Sequence, residues 1–219
     1  MRLDAAQRGA LGFQIALDVS AHAQHIVDAE GEFALLSKKG GVGKSTLALL
    51  LHEALRRASK AVAIQDWDAQ GTSSKALELV GGQKAGTGNA FDVLLYDTPP
   101  NLEHVATASA VQQADLVLVV TTPSPADIWE ADDAARFARE KNPAADVRLV
   151  FNKVRRGTVL ARLVEESAAQ VSAPALAPVI SARECYQHAL GEGWKALDRA
   201  AREEVLELTV AVLARGGTA

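Results

Sequence analysis

Apolar residues in this chain come in short, near-continuous runs, and the stretches between them have helical spacing. The runs at 33–36, 61–65, 91–96, 116–120 and 147–151 predict strands, with a further strand at 175–180. They lack the apolar/polar alternation of a half-solvated sheet, so both faces of each strand are expected to be covered. Stretches at 44–58, 103–113, 126–141, 158–171 and 198–214 predict helices. This alternation predicts an α/β fold: a mostly parallel twisted sheet with helices on both faces. The segment from Val80 to Asn89 is glycine-rich and has no strand pattern. Residues 1–30 have weaker periodicity, with Leu3, Leu11, Ile15 and Ile26 scattered among Gly9 and Gly12. They predict an N-terminal helical extension, either packed on the main domain or serving as a partner-binding arm. Residues 31–219 form the main domain.

The first strand leads into Ser37-Lys38-Lys39-Gly40-Gly41-Val42-Gly43-Lys44-Ser45-Thr46, which opens the first helix. Strand, glycine loop, Lys-Ser and helix is the layout of a phosphate cradle. Glycines let backbone N–H groups converge on phosphate oxygens, and the helix adds its unpaired amides and positive dipole end. Gly40 to Thr46 would surround the phosphates. Lys44 would reach the β- and γ-phosphates, and the Ser45 hydroxyl would ligate Mg²⁺. The usual pattern wants glycine where Lys38 stands, and a second lysine, Lys39, opens the loop.

That loop resembles the deviant Walker A motif of the ParA/MinD family of ATPases. The resemblance covers roughly residues 32–215. It implies ATP or ADP with Mg²⁺ as ligands and an ATP-dependent homodimer in which Lys39 of each copy reaches the other's nucleotide. Asp66-Trp67-Asp68-Ala69-Gln70-Gly71 resembles the family's D-x-D-P-Q-G segment, with Ala69 in place of proline. By that resemblance Asp68 positions the attacking water and Asp66 lies on the metal side; read alone, the segment is also a polar turn after a strand. An apolar strand delivers Asp97, followed by Thr98-Pro99-Pro100, as the acidic residue near Mg²⁺. Asn152 precedes Lys153, but Arg155 stands where a guanine-reading aspartate would be. The resemblance makes Asn152 the adenine contact, with Pro178 walling the base. The family usually has an extra strand and helix between its acidic motifs, so the 80–89 stretch implies a missing or remodelled edge strand.

Charge changes the picture only locally. The formal net charge is −4, yet Arg136 to Arg162 holds eight basic residues against two acidic ones. A local balance of +6 leaves −10 elsewhere, and such a segment is either a phosphate footprint or a set of solvated helix faces. Arg155, Arg156, Arg183, Lys195, Arg199 and Arg202 are the candidate contacts to double-stranded DNA, in a salt-sensitive, sequence-independent mode. The expected partners are a second copy, DNA and a ParB-like or other activating adaptor. The cargo would be a plasmid, a chromosome or a protein cluster.

Composition excludes several alternatives. The single cysteine, Cys185, argues against disulfides and paired-cysteine iron–sulfur relatives and suits a reducing cytoplasm. Two tyrosines argue against a tyrosine-rich kinase tail. No run of eighteen apolar residues and no basic-then-apolar start predict a chain without a membrane span or secretory signal. The last helix carries Glu203, Glu204 and Glu207, unlike the basic membrane anchor of the MinD branch. Rival readings are a nucleotide-binding regulatory or scaffold member with little hydrolysis, a MinD-like positioning ATPase, and a metabolic ligase of the dethiobiotin synthetase kind. Lys39 weighs against the ligase.

Overall fold

The computed structural model describes residues 30–86 and 90–214. The expected extension at 1–30 thus lies almost wholly outside the described residues. In chain order the elements are β1 (Gly31–Leu36), α1 (Lys44–Arg57), β2 (Val62–Asp66), α2 (Thr72–Val80), β3 (Gln83–Lys84), β4 (Val93–Asp97), α3 (Val105–Gln113) and β5 (Leu116–Thr121). Then follow α4 (Pro125–Lys141), β6 (Asp146–Phe151), α5 (Val159–Arg162), α6 (Val164–Ala168), α7 (Cys185–Glu192), a 3₁₀ turn (Gly193–Ala196) and α8 (Arg199–Leu213).

Six strands form one sheet in the order β3-β2-β4-β1-β5-β6, and every pairing is parallel. β5 is buried at all six positions, as a strand covered on both faces must be. One core layer joins α1, α7 and α8 to the sheet through Leu47, Leu51, Tyr186, Val205 and Leu208. The opposite layer joins α3 and α4 to the other face through Val111, Ile128, Ala134, Ala135 and Phe151. The helix α1 is buried along most of its length because sheet and helices enclose it.

Two local expectations are corrected, and a third is decided between its alternatives. The 175–180 segment is not a strand: it meets β6 and its exit at the isolated bridges Leu149↔Ala175 and Val154↔Ser181, with one more bond from the Ile180 amide to the Phe151 carbonyl. Pro174 and Pro178 interrupt it, since proline has no N–H to give a ladder. The 158–171 helix divides at Leu163 into two short pieces with no buried residue, so no packed face holds one long helix together. The 80–89 stretch does carry an edge strand, remodelled to the two residues of β3. α2 was not anticipated: it is nine residues long, bracketed by Gly71 and Gly81 in left-handed conformation.

Candidate functional site

The carboxyl ends of β1, β2, β4, β5 and β6 share one edge of the sheet, where open α/β folds bind ligands. The loop after β1 reaches α1 through Gly41 and Gly43, with φ of +79° and +100°. At Gly43 a Cβ would lie 2.4 Å from the Asn152 Nδ2. The glycine therefore serves both backbone curvature and close approach. The carbonyl of Val42 accepts from Asn152 Nδ2 at 2.8 Å, and the carbonyl of Gly41 accepts from Lys153 Nζ at 2.6 Å. Lys153 itself has a positive φ of 56°. The end of β6 thus braces the loop.

Lys44 is buried, which lowers its pKa from the ordinary lysine range, while the carboxylates of Asp97 and Asp68 oppose that shift. Asp97 is 1% exposed, and neither carboxylate oxygen has a hydrogen-bond partner. Burial pushes its pKa up to about 6. The Ser45 and Ser73 hydroxyls pull the other way without reaching hydrogen-bond geometry with it. An unpaired buried carboxylate beside a hydroxyl and a lysine is the arrangement a hydrated divalent cation would complete. Among the described residues no cluster of three or more His, Cys, Asp or Glu could hold a metal by itself. That fits Mg²⁺, which is held by phosphates, one or two side chains and water.

The segment after β2 is ordered by its own carboxylates. Asp66 accepts from the amides of Asp68 at 3.0 Å and Ser74 at 2.9 Å, so it fastens the turn to the start of α2. It also stands opposite Asp97 in the register of β2 and β4 and acts on it electrostatically. Asp68 accepts from the Gln70 amide at 3.0 Å and acts electrostatically on Lys44. Trp67 packs against Tyr96 in a tilted pair with ring centroids 5.1 Å apart, which fixes the segment against the sheet. Thr98, after β4, donates to the Leu35 carbonyl at 2.7 Å and ties the two loops together.

A cleft of 1070 Å³ opens beside the loop, lined among others by Gly43, Thr46, Thr122, Asn152, Ile180 and Ser181. Pro178 does not line it; Ile180 and Ser181 take the place expected of it. Three arginines expected to meet DNA, Arg155, Arg156 and Arg183, also line this cleft. Glu204 of α8, 6% exposed, accepts from Arg156 and Arg183 at 2.8 Å, from the Ser181 hydroxyl and Tyr186 hydroxyl at 2.9 Å, and from the Ser181 amide at 3.1 Å. This carboxylate was missed as a site residue because its donors come from distant segments. Arg199 pairs with Glu203 one turn along α8, Arg202 donates to the Trp194 carbonyl at 3.4 Å, and Lys195 is exposed.

The two lysines at the loop's start point elsewhere. Lys39 donates to Asp127 on the first turn of α4, and Lys38 donates to Asp133 at 2.9 Å. Lys39 is not among the residues lining the cleft. No local sequence signal announced these pairs, since 88 residues separate Lys39 from Asp127.

Comparison with known proteins agrees with this geometry. A carboxysome distribution maintenance protein A of Halothiobacillus neapolitanus is 25% identical over 191 residues, covering 77% of this chain and 88% of that protein. A chain of the MinC:MinD cell division protein complex of Aquifex aeolicus superposes with a TM-score of 0.69 at 20% identity, covering 87% of this chain and 98% of that one. A plasmid partition protein of Borrelia burgdorferi B31, solved with AMPPNP, superposes with a TM-score of 0.68 at 17% identity, covering 84% of this chain and 98% of that one. The described residues include no helix long and apolar enough to cross a membrane. Residues 33–194 match the CobQ/CobB/MinD/ParA nucleotide-binding domain, and the chain belongs to that family.

Proposed function

We propose that the chain is an ATP-switched positioning ATPase that grips DNA as an ATP-dependent homodimer and releases it on hydrolysis. The observation that carries this reading is the placement of Lys39. Its side chain is 49% exposed, pairs with Asp127 of α4 and does not line its own cleft, which supports a role toward a second copy's nucleotide. Lys44 and the loop amides would hold the β- and γ-phosphates, and Ser45 and Asp97 would hold the hydrated Mg²⁺. When bound, Mg²⁺ supplies neutralising charge at the phosphates. Asp68 would orient the attacking water from the turn after β2. Turnover would be slow until an adaptor, ParB-like or of another kind, stimulates it.

DNA would be held through its phosphates by exposed cations, Lys195 and Arg199 first among the candidates. The protein would be cytoplasmic and associated with the nucleoid. The likeness to a carboxysome distribution protein favours a protein compartment as cargo over a plasmid. α8 carries no basic face suited to a membrane, because Glu203, Glu204 and Glu207 lie along it. A second reading, a nucleotide-binding scaffold with little hydrolysis, draws on the engagement of Asp66 by backbone amides and on Ala69. Sedimentation of the protein with Mg²⁺ and ADP, ATP or a non-hydrolysable analogue, together with phosphate release, separates the two. An ATP-specific dimer with measurable turnover supports the switch. Binding without turnover, even with DNA and a partner, supports the scaffold.

A further inference from the structure

Asp127, Glu130 and Asp133 recur at intervals of three along α4 and so share one face of the helix. Lys39 donates to the first and Lys38 to the third. Glu130 lies between them with one carboxylate oxygen buried and unpartnered. Hydrogen bonding to Asp127 raises the pKa of Lys39, hydrogen bonding to Asp133 raises that of Lys38, and Glu130 adds to both. The start of the phosphate loop is thus held on two carboxylates by two ammonium groups, with the Glu130 carboxylate acting on both through its charge.

We propose that this acidic face of α4 is an intramolecular latch: it holds Lys39 in the unengaged state and thereby sets the threshold for ATP-dependent dimerisation. The inference rests on the reading of Lys39 given under Proposed function. Two features make the contact releasable. The ammonium of Lys39 is half-exposed, so water reaches the pair from the lysine's side although Asp127 is buried. Asp127 also keeps a partner of its own: it accepts from the Thr122 hydroxyl at 2.5 Å and sits on the first turn of a helix, where a negative charge is favoured. When the lysine departs, Asp127, 8% exposed, keeps the Thr122 hydroxyl and the helix N-terminus as its remaining support. A triphosphate in a second copy carries more negative charge than one carboxylate. It shifts the lysine only by its differential affinity for the engaged state, and the latch subtracts from that difference.

The test is Asp127→Asn, which removes the charge and retains an acceptor for Thr122. With Mg²⁺ and a non-hydrolysable ATP analogue, the dimer dissociation constant should tighten about three- to fivefold. In the nucleotide-free monomer, acetylation of Lys39 followed by mass spectrometry should speed up by about threefold, with exposed Lys195 as the unchanged internal reference. Glu130→Gln, which touches neither Thr122 nor Lys39 by hydrogen bond, should move both readouts the same way by a smaller factor. It keeps the test alive if Asp127→Asn misfolds. Unchanged Lys39 reactivity in the folded variants overturns the latch whatever the dimer does, and a weaker dimer overturns it as well. If the parent protein does not dimerise with ATP, the switch reading fails instead, and the acetylation rates still decide whether the latch exists.

Discussion

Asn152 donates its side-chain amide to the carbonyl of Val42 at 2.8 Å, joining the end of β6 to the middle of the phosphate loop across 110 residues. Its own carboxamide oxygen accepts from the Lys153 amide at 2.8 Å. In this conformation both ends of the side chain are used, so its first role is to brace the loop. Asn152→Ala should cost on the order of 1–2 kcal/mol of stability, because the Val42 carbonyl loses a buried partner. It should weaken ATP and GTP by similar factors in calorimetric titration. A loss confined to ATP would show that Asn152 instead reads the adenine.

Asp97 gives a stability signature of opposite sign to most carboxylates. Its ordinary pKa near 3.8 rises to about 6 on folding, so between those values the native state binds the proton more than the unfolded chain does. Nucleotide-free stability should therefore fall as pH rises from about 4 to 6 on account of this group, then level off. Asp97→Asn should stabilise the nucleotide-free protein at pH 7 by on the order of 1–2 kcal/mol while abolishing Mg²⁺-dependent nucleotide affinity. Melting curves at several pH values, alongside Mg²⁺ titration, check both halves. A destabilised variant would contradict the unpaired buried carboxylate.

Glu204 behaves in the contrary way. Burial alone would raise its pKa, but Arg183, Ser181 and Tyr186 outweigh burial and hold it down to about 2. The stability it contributes is present above about pH 4.5 and is lost as the pH falls toward 2. Glu204→Gln should cost on the order of 2–3 kcal/mol, since it leaves Arg156 and Arg183 without their shared counter-charge. Loss of DNA binding in an Arg183 variant would then reflect the cleft wall and the fold. Lys195→Ala and Arg199→Ala are the cleaner probes, and they should weaken DNA while leaving melting within about 0.5 kcal/mol.

Hydrolysis and binding should separate between Asp68 and Lys44. Asp68→Ala should lower phosphate release by about a hundredfold or more with nucleotide affinity retained, and so prolong the dimer. Lys44→Ala should abolish detectable nucleotide binding, because it removes the buried cation that faces the phosphates. Turnover at parental rate in Asp68→Ala would contradict the role given to that carboxylate.

What the sequence disclosed was local. The apolar runs of β1, β4, β5 and β6, the glycine loop and Asp97 at a strand end are patterns within a dozen residues, and each falls where it was read. α2 escaped because nine residues between two glycines carry little periodic signal. The 175–180 segment misled because its apolar residues are real but its prolines deny it a ladder. The contacts that define the site join residues far apart in the chain: Asn152 to Val42, Lys39 to Asp127, Glu204 to Arg156. Three of the eight cations in the basic window pair with carboxylates. Arg136 meets Asp132, Arg148 meets Asp146, and Arg156 meets Glu204, so formal charge along the chain overstated the free positive surface.

The central claim is tested most directly by binding to random-sequence double-stranded DNA at moderate salt, without nucleotide, with ADP and with ATP and Mg²⁺. The account predicts binding that arises only with ATP, weakens as salt is added, and is lost in Lys39→Ala. DNA binding that ignores the nucleotide, or an ATP dimer with no affinity for DNA at any salt, would contradict it.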